Sequence, residues 1–305
     1  MSKCAHLITI ADLTLSQVEN LFRVATSYTH QGYSAVTDVL RGKSVPLMFF
    51  ESSTRTRISF EMAVGRHGGT PLNFRTRSSS TQKGESDLDS VRTVAAMDPA
   101  IIVLRHGSTG LIHEFAKESK VPLINAGNGA EEHPTQALID IFTLSNSVDN
   151  FGPKSKILFI GDIEHSRVAR SDISLLSRLG VQIYISGPPK LVHPSWLPSS
   201  AIIVSSPDEI ISEVDAVVAL RIQMERHQST LLDSKDQYFS EFGLTVERAK
   251  NMRAEAVVLH PGPFNRGIEI ASEVADGPRS RILSQVRNGL YIRMALIEFL
   301  IEGSQ

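Results

Sequence analysis

Short apolar runs of strand length alternate with amphipathic, helix-length stretches from one end of this chain to the other, and that alternation constrains the fold most. It calls for strands covered by the helices that connect them, and so for largely parallel sheets. Strands are expected at residues 44–50, 101–105 and 121–125, with a weaker one at 71–74, and then at 156–161, 182–186, 216–220 and 256–260. Helices are expected at 14–31, 86–97, 134–145, 166–179, 246–253 and 279–302, and an amphipathic segment covers 58–67. Asp98-Pro99 stops one helix, and Pro134 suits the first turn of another. A chain of 305 residues suits one large domain or two of ordinary size. The polar stretch 145–155, with Gly152-Pro153, is the best boundary. The expected fold class is α/β with two domains, 1–148 and 149–279, each a largely parallel sheet flanked by helices. The apolar C-terminal helix, residues 280–305, is compatible with either domain and is expected to pack back on the first.

Composition narrows the function. With 31 basic and 33 acidic residues the net charge is −2, so there is no global field for nucleic acid or acidic membranes. An anion site must be built locally. One cysteine, Cys4, excludes an internal disulfide framework, and the ten histidines show no zinc-ligand spacing. The first ten residues are too weakly apolar for a signal peptide, and no stretch approaches the roughly 20 apolar residues of a membrane span. The expected location is the cytoplasm, with no membrane or nucleic-acid partner.

One such local site is legible. The run Phe50-Glu51-Ser52-Ser53-Thr54-Arg55-Thr56-Arg57 stands between a strand and an amphipathic segment. Helix-opening N–H groups, hydroxyls and guanidinium groups together suit a phosphate dianion. A capped helix start with exposed arginines would account for a lone Ser-Thr-Arg, but later strands also run into cationic or polar groups. They lead to Arg105-His106, to His133-Pro134-Thr135-Gln136, to Asp162 and Arg167, to Arg221-Ile222-Gln223 and to His260-Pro261-Gly262-Pro263. Ligands of open parallel sheets bind beyond such strand ends. Gln136 follows His133 by one turn, so both side chains can reach a ligand at one helix start. No serine or cysteine nucleophile is singled out. The set suits holding and polarising a multiply anionic substrate. Gly161-Asp162 lacks the further glycines of a dinucleotide fingerprint, and the Gly-rich 126–130 lacks a P-loop lysine.

Together with Lys83-Gly84-Glu85-Ser86, these motifs resemble, in order and over nearly the whole chain, those of aspartate carbamoyltransferase catalytic chains in the aspartate/ornithine carbamoyltransferase superfamily. The resemblance implies transfer of a carbamoyl group from carbamoyl phosphate to L-aspartate, in pyrimidine synthesis. It implies that Ser53, Thr54, Arg55 and Thr56 hold phosphate, with Arg105 shared between phosphate and the carbamoyl oxygen. Thr56, Arg105 and His133 would surround that oxygen, and Gln136 with the carbonyls of Gly262 and Pro263 would bind the carbamoyl NH2. Arg167 and Arg221, assisted by Gln223 and Lys83, would bind aspartate. Neither metal nor organic cofactor is implied. Lys83 would reach a neighbouring chain's site in a homotrimer, and regulatory chains or a dihydroorotase partner stay open. The alternatives are ornithine carbamoyltransferase, which typically has His-Cys-Leu-Pro where this chain has His260-Pro261-Gly262-Pro263, and a non-catalytic anion-binding scaffold subunit. The scaffold reading predicts loss of Arg105, His133 or Lys83, and all three are present.

Overall fold

The computed structural model describes residues 6–74, 86–222 and 235–303. The backbone divides into two compact units, Met1–Leu138 with Val286–Gln305, and Ile139–Gln285. Each holds one parallel sheet with helices, so the expected α/β class is what the chain adopts.

In the first unit the sheet runs β2-β1-β3-β4, with β1 Ser44–Phe49, β2 Thr70–Asn73, β3 Ile102–His106 and β4 Leu123–Asn128. From Val45 to Phe49 every residue of β1 is buried, as expected of a parallel strand covered on both faces. Pairing with β3 begins at Leu47, directly after Pro46, which has no N–H to give a ladder. The helices are α1 Leu15–Gln31, α2 Thr54–Arg66, α3 Asp87–Ala95 and α4 Gly110–Glu118, followed by α5 Pro134–Ser145 at the end of the segment. A capping box of Thr14 and Gln17 opens α1. α4 was not among the expected helices, although Leu111, Ile112 and Phe115 carry helical spacing.

The second unit has the order β7-β6-β5-β8-β9, with β5 Lys156–Ile160, β6 Gln182–Ser186, β7 Ile202–Ile203, β8 Ala216–Ala219 and β9 Val257–Leu259. Its helices are α6 Arg167–Arg178, α7 Lys235–Glu241, α8 Val246–Asn251 and α9 Ser272–Ala275. A core of Leu158, Ile160, Val217, Val258, Tyr238 and Ile270 joins the strands to the helices that follow them. The last helix, α10 Ile282–Glu302, carries the chain from this unit back to the first. Among the described residues no helix is long and apolar enough to cross a membrane.

Candidate active site

Each sheet has one place where the chain reverses its direction of strand addition, and the polar groups collect there. In the first unit the order places β2 on one side of β1 and β3 on the other, which opens a crevice beyond the ends of β1 and β3. Phe49 of β1 pairs with Arg105 of β3, and the Phe50 N–H donates to the Arg105 carbonyl at 2.9 Å. The turn carrying Ser53 therefore starts beside Arg105.

Ser53 is the N-cap of α2 in an extended conformation, and its side chain makes no capping bond. Thr54, Arg55 and Thr56 form the first helical turn, whose N–H groups have no partner within the helix. Thr56 is buried, while Arg55 is exposed overall, with partial desolvation lowering its guanidinium pKa. Arg57 points elsewhere, with Nε 3.6 Å from Glu61 along the helix. Arg105 is only 12% exposed; its Nη1–H donates to the Ala126 carbonyl at 3.0 Å, and its Nε lies 3.5 Å from Glu51. Glu51, to which the sequence pattern assigns no role, thus places its carboxylate at the guanidinium an anionic ligand would need.

β4 continues the arrangement. His133 is buried at the start of α5, where its carbonyl accepts the N–H groups of Gln136 and Ala137, and Thr135 Oγ1 lies 3.3 Å from its Nδ1. Half-buried Gln136 follows in the same turn. His106 has another function. Its Nδ1 accepts the Ser108 N–H at 2.8 Å, so the ring proton is on Nε2 and is donated to Asp87 at 3.0 Å, tying the start of α3 to the end of β3.

In the second unit β5 lies between β6 and β8, so the equivalent crevice opens beyond β5 and β8. Gly161 directly follows β5 at φ +131°, and a Cβ there would meet the Leu220 carbonyl at 2.9 Å; glycine lets the two strand ends approach. Buried Asp162 accepts both the N–H and the Nδ1–H of His165, at 3.0 and 2.9 Å. Ser166 then caps α6 by accepting the Ala169 N–H at 3.1 Å, which makes half-buried Arg167 the first helical residue. Arg221, also half-buried, follows the end of β8 by two residues. Beyond neighbouring β9, His260 Nδ1 accepts the Gly262 N–H at 2.8 Å, which shapes the turn carrying Gly262 and Pro263.

The structure thus brings Ser53, Thr54, Arg55, Thr56, Arg105, His133 and Gln136 to strand ends of one unit, and Arg167, Arg221, Gly262 and Pro263 to those of the other. Lys83 and Gln223 lie outside the described residues. A cavity of about 790 Å³, lined in part by Ser44, Met48, Phe74, Ala100 and Pro122, contains none of these groups. Among the described residues no cluster of three or more His, Cys, Asp or Glu could hold a metal ion.

Comparison with known proteins also finds two domains along the chain. Residues 5–146 match the carbamoyl-P binding domain of aspartate/ornithine carbamoyltransferases, and residues 153–300 match their Asp/Orn binding domain. The aspartate carbamoyltransferase catalytic subunit of Myxococcus xanthus is 44% identical over 96% of this chain and 98% of its own. That of Maricaulis maris is 44% identical over 97% of this chain and 93% of its own. The crystal structure of aspartate transcarbamoylase from Trypanosoma cruzi in complex with N-(phosphonacetyl)-L-aspartic acid aligns with a TM-score of 0.88 and 28% identity, covering 97% of this chain and 96% of that one. Two matched domains that together span nearly the whole length mean that this chain belongs to the aspartate/ornithine carbamoyltransferase family.

Proposed function

We propose that this chain transfers the carbamoyl group of carbamoyl phosphate to the amine of L-aspartate, giving N-carbamoyl-L-aspartate and phosphate for pyrimidine synthesis. One observation carries the choice of acceptor: two guanidinium residues, Arg167 and Arg221, stand beyond adjacent strands β5 and β8. Two cations suit a dicarboxylate, whereas the distal ammonium of ornithine would need an acidic partner.

The first turn of α2, with Ser53, Thr54, Arg55 and Thr56, holds the phosphate through N–H groups, hydroxyls and a guanidinium. Thr56, Arg105 and His133 donate to the carbamoyl oxygen. With the Thr135 hydroxyl donating to Nδ1, the His133 ring proton rests on Nε2 and is available to that oxygen. As the amine nitrogen adds to the carbonyl carbon, negative charge gathers on the oxygen, and each donor lowers the barrier by about 2.7–4 kcal/mol. The C–O bond to phosphate then breaks, and the departing phosphate takes the amine proton. Gln136 and the carbonyls of Gly262 and Pro263 bind the carbamoyl NH2, while Gln223 and Lys83 assist Arg167 and Arg221 with aspartate. The active assembly is a homotrimer in which Lys83 serves a neighbouring chain's site, as the family resemblance implies.

The test is an assay of the purified chain with carbamoyl phosphate and either L-aspartate or L-ornithine. Carbamoylated aspartate is the expected product. Citrulline formation, or no product from either amine, would refute the reading.

A further inference from the structure

Glu269 is 1% exposed, and its carboxylate is held by N–H groups. Oε1 accepts the Ile222 N–H at 3.2 Å and the Asn265 Nδ2–H at 2.9 Å, and Oε2 accepts the Asn265 N–H. Its backbone is fixed too, with its carbonyl accepting the Leu244 N–H at 2.9 Å and its N–H donating to Asn265 at 3.3 Å. Burial pushes the carboxyl pKa up, while the bonds from Asn265 and Ile222 oppose that shift. Ile222 directly follows Arg221, and Asn265 lies two residues beyond Pro263. The side chain therefore joins the segment leaving β8 to the segment leaving β9.

That connection falls where the sheet no longer provides one. The ladder between β5 and β8 ends at Ala219, and the Leu220 N–H still reaches the Ile160 carbonyl at 2.8 Å. Two residues later the Ile222 N–H relies on Glu269. An ionised carboxylate suits the place because it only accepts, and three donors converge on it.

We propose that Glu269 is a positioning residue for Arg221, fixing that guanidinium relative to the Gly262-Pro263 turn. The inference rests on the proposed role of Arg221 in binding a carboxylate of aspartate. Replacing Glu269 by glutamine would turn an NH2 group toward one of the donors and leave a buried N–H without an acceptor.

The test uses the full-length chain carrying Glu269→Gln. The apparent KM for aspartate is expected to rise about ten-fold, with less change in kcat. Competition by inorganic phosphate, which reads the Ser53–Thr56 turn, is expected to stay at the wild-type level. Hydrogen exchange at the Ile222 and Asn265 amides is expected to accelerate. A merely structural role would lower the folded fraction and leave the KM of the remaining enzyme unchanged. A folded variant with wild-type aspartate KM overturns the proposal, as does wild-type exchange at Ile222. Should Glu269→Gln not fold, Asn265→Ala decides: it removes the Nδ2 donor alone, and an aspartate KM raised about two- to five-fold supports the role, whereas an unchanged KM overturns it. If the wild-type chain fails to carbamoylate aspartate at all, the functional reading falls, while exchange at Ile222 still tests the connection itself.

Discussion

At the scale of single residues, the phosphate turn divides its arginines between two tasks. Arg57 pairs with Glu61 along the exposed face of α2, whereas Arg55 stands in the first turn beside the helix N–H groups. Arg55→Ala is therefore expected to lower turnover by about two to three orders of magnitude, since it removes a charge-assisted contact that strengthens as phosphate departs. Steady-state kinetics with unchanged circular dichroism check this, and near-normal turnover would remove Arg55 from the site. In the other unit, Arg221→Ala is expected to raise the aspartate KM roughly 30-fold or more, leaving the affinity for carbamoyl phosphate in direct binding nearly unchanged. A collapse of carbamoyl phosphate affinity with normal aspartate saturation would reverse that assignment. Residues such as Arg105 and Arg221 were legible in the sequence because each follows an apolar run at a strand end. Glu51 and Glu269 were not. Their partners, Arg105 and the Ile222 amide, are 54 and 47 residues away, and no periodicity connects such distant positions.

At the scale of elements, local pattern and tertiary contact contribute differently. The strands were legible to within a residue or two where both faces are buried, as in β1 and β5, because continuous apolar runs have few other uses. The two-residue β7 was not among the expected strands, although the short apolar run Ala201-Ile202-Ile203-Val204 marks its place. α7 also went unread: buried Arg248, from α8, donates to the carbonyls of Ser240, Glu241 and Gly243 while its Nε and Nη2 engage Asp208, each at 2.9 Å. Its last turn is thus held from outside. α10 is fastened to the first unit in the same long-range way. His67 Nε2–H donates to the Met294 carbonyl at 2.9 Å, and its Nδ1 accepts from Thr37 Oγ1 at 2.6 Å. Tyr28 donates to Glu298, and Arg293 donates to Ser59 at 2.9 Å while lying over the Phe60 ring. His67→Ala leaves a small cavity and unpaired buried partners, and is expected to cost about 2–4 kcal/mol in urea unfolding. A loss below about 0.5 kcal/mol would show that the helix does not depend on this histidine. Burial lowers the His67 pKa below the ordinary 6.5, more than Met294 and Glu298 raise it. Between the folded and unfolded pKa values the unfolded chain binds more protons. His67 thus stabilises fully above pH 6.5, and its contribution falls as acid approaches the lower folded value. Unfolding midpoints from pH 8 to 5 are expected to show a shallower acid decline in His67→Gln than in the wild type. Identical slopes would mean that other groups govern the decline.

At the scale of the whole molecule, the family resemblance implies a site shared between chains. Lys83 is 27 residues beyond Thr56 in sequence, and family resemblance assigns it to a neighbour's site. That assignment can be tested without further geometry, because a shared site and a private one predict different behaviour on mixing. Lys83→Ala and Arg55→Ala chains are each expected to assemble and to be nearly inactive. When they are dissociated, mixed one to one and reassembled, some interfaces join an intact Arg55 from one chain to an intact Lys83 from the next. Each of the two chains at an interface is drawn independently, so about a quarter of the interfaces carry both groups, and activity is expected to return to about a quarter of wild type if sites act independently. A site built within one chain cannot recover in any mixture, because every chain lacks one of the two groups. Hybrids separated by charge-tagging one parent distinguish the cases. Trimers containing both parents should carry all the regained activity, and hybrids as inactive as their parents would place Lys83 outside a neighbour's site.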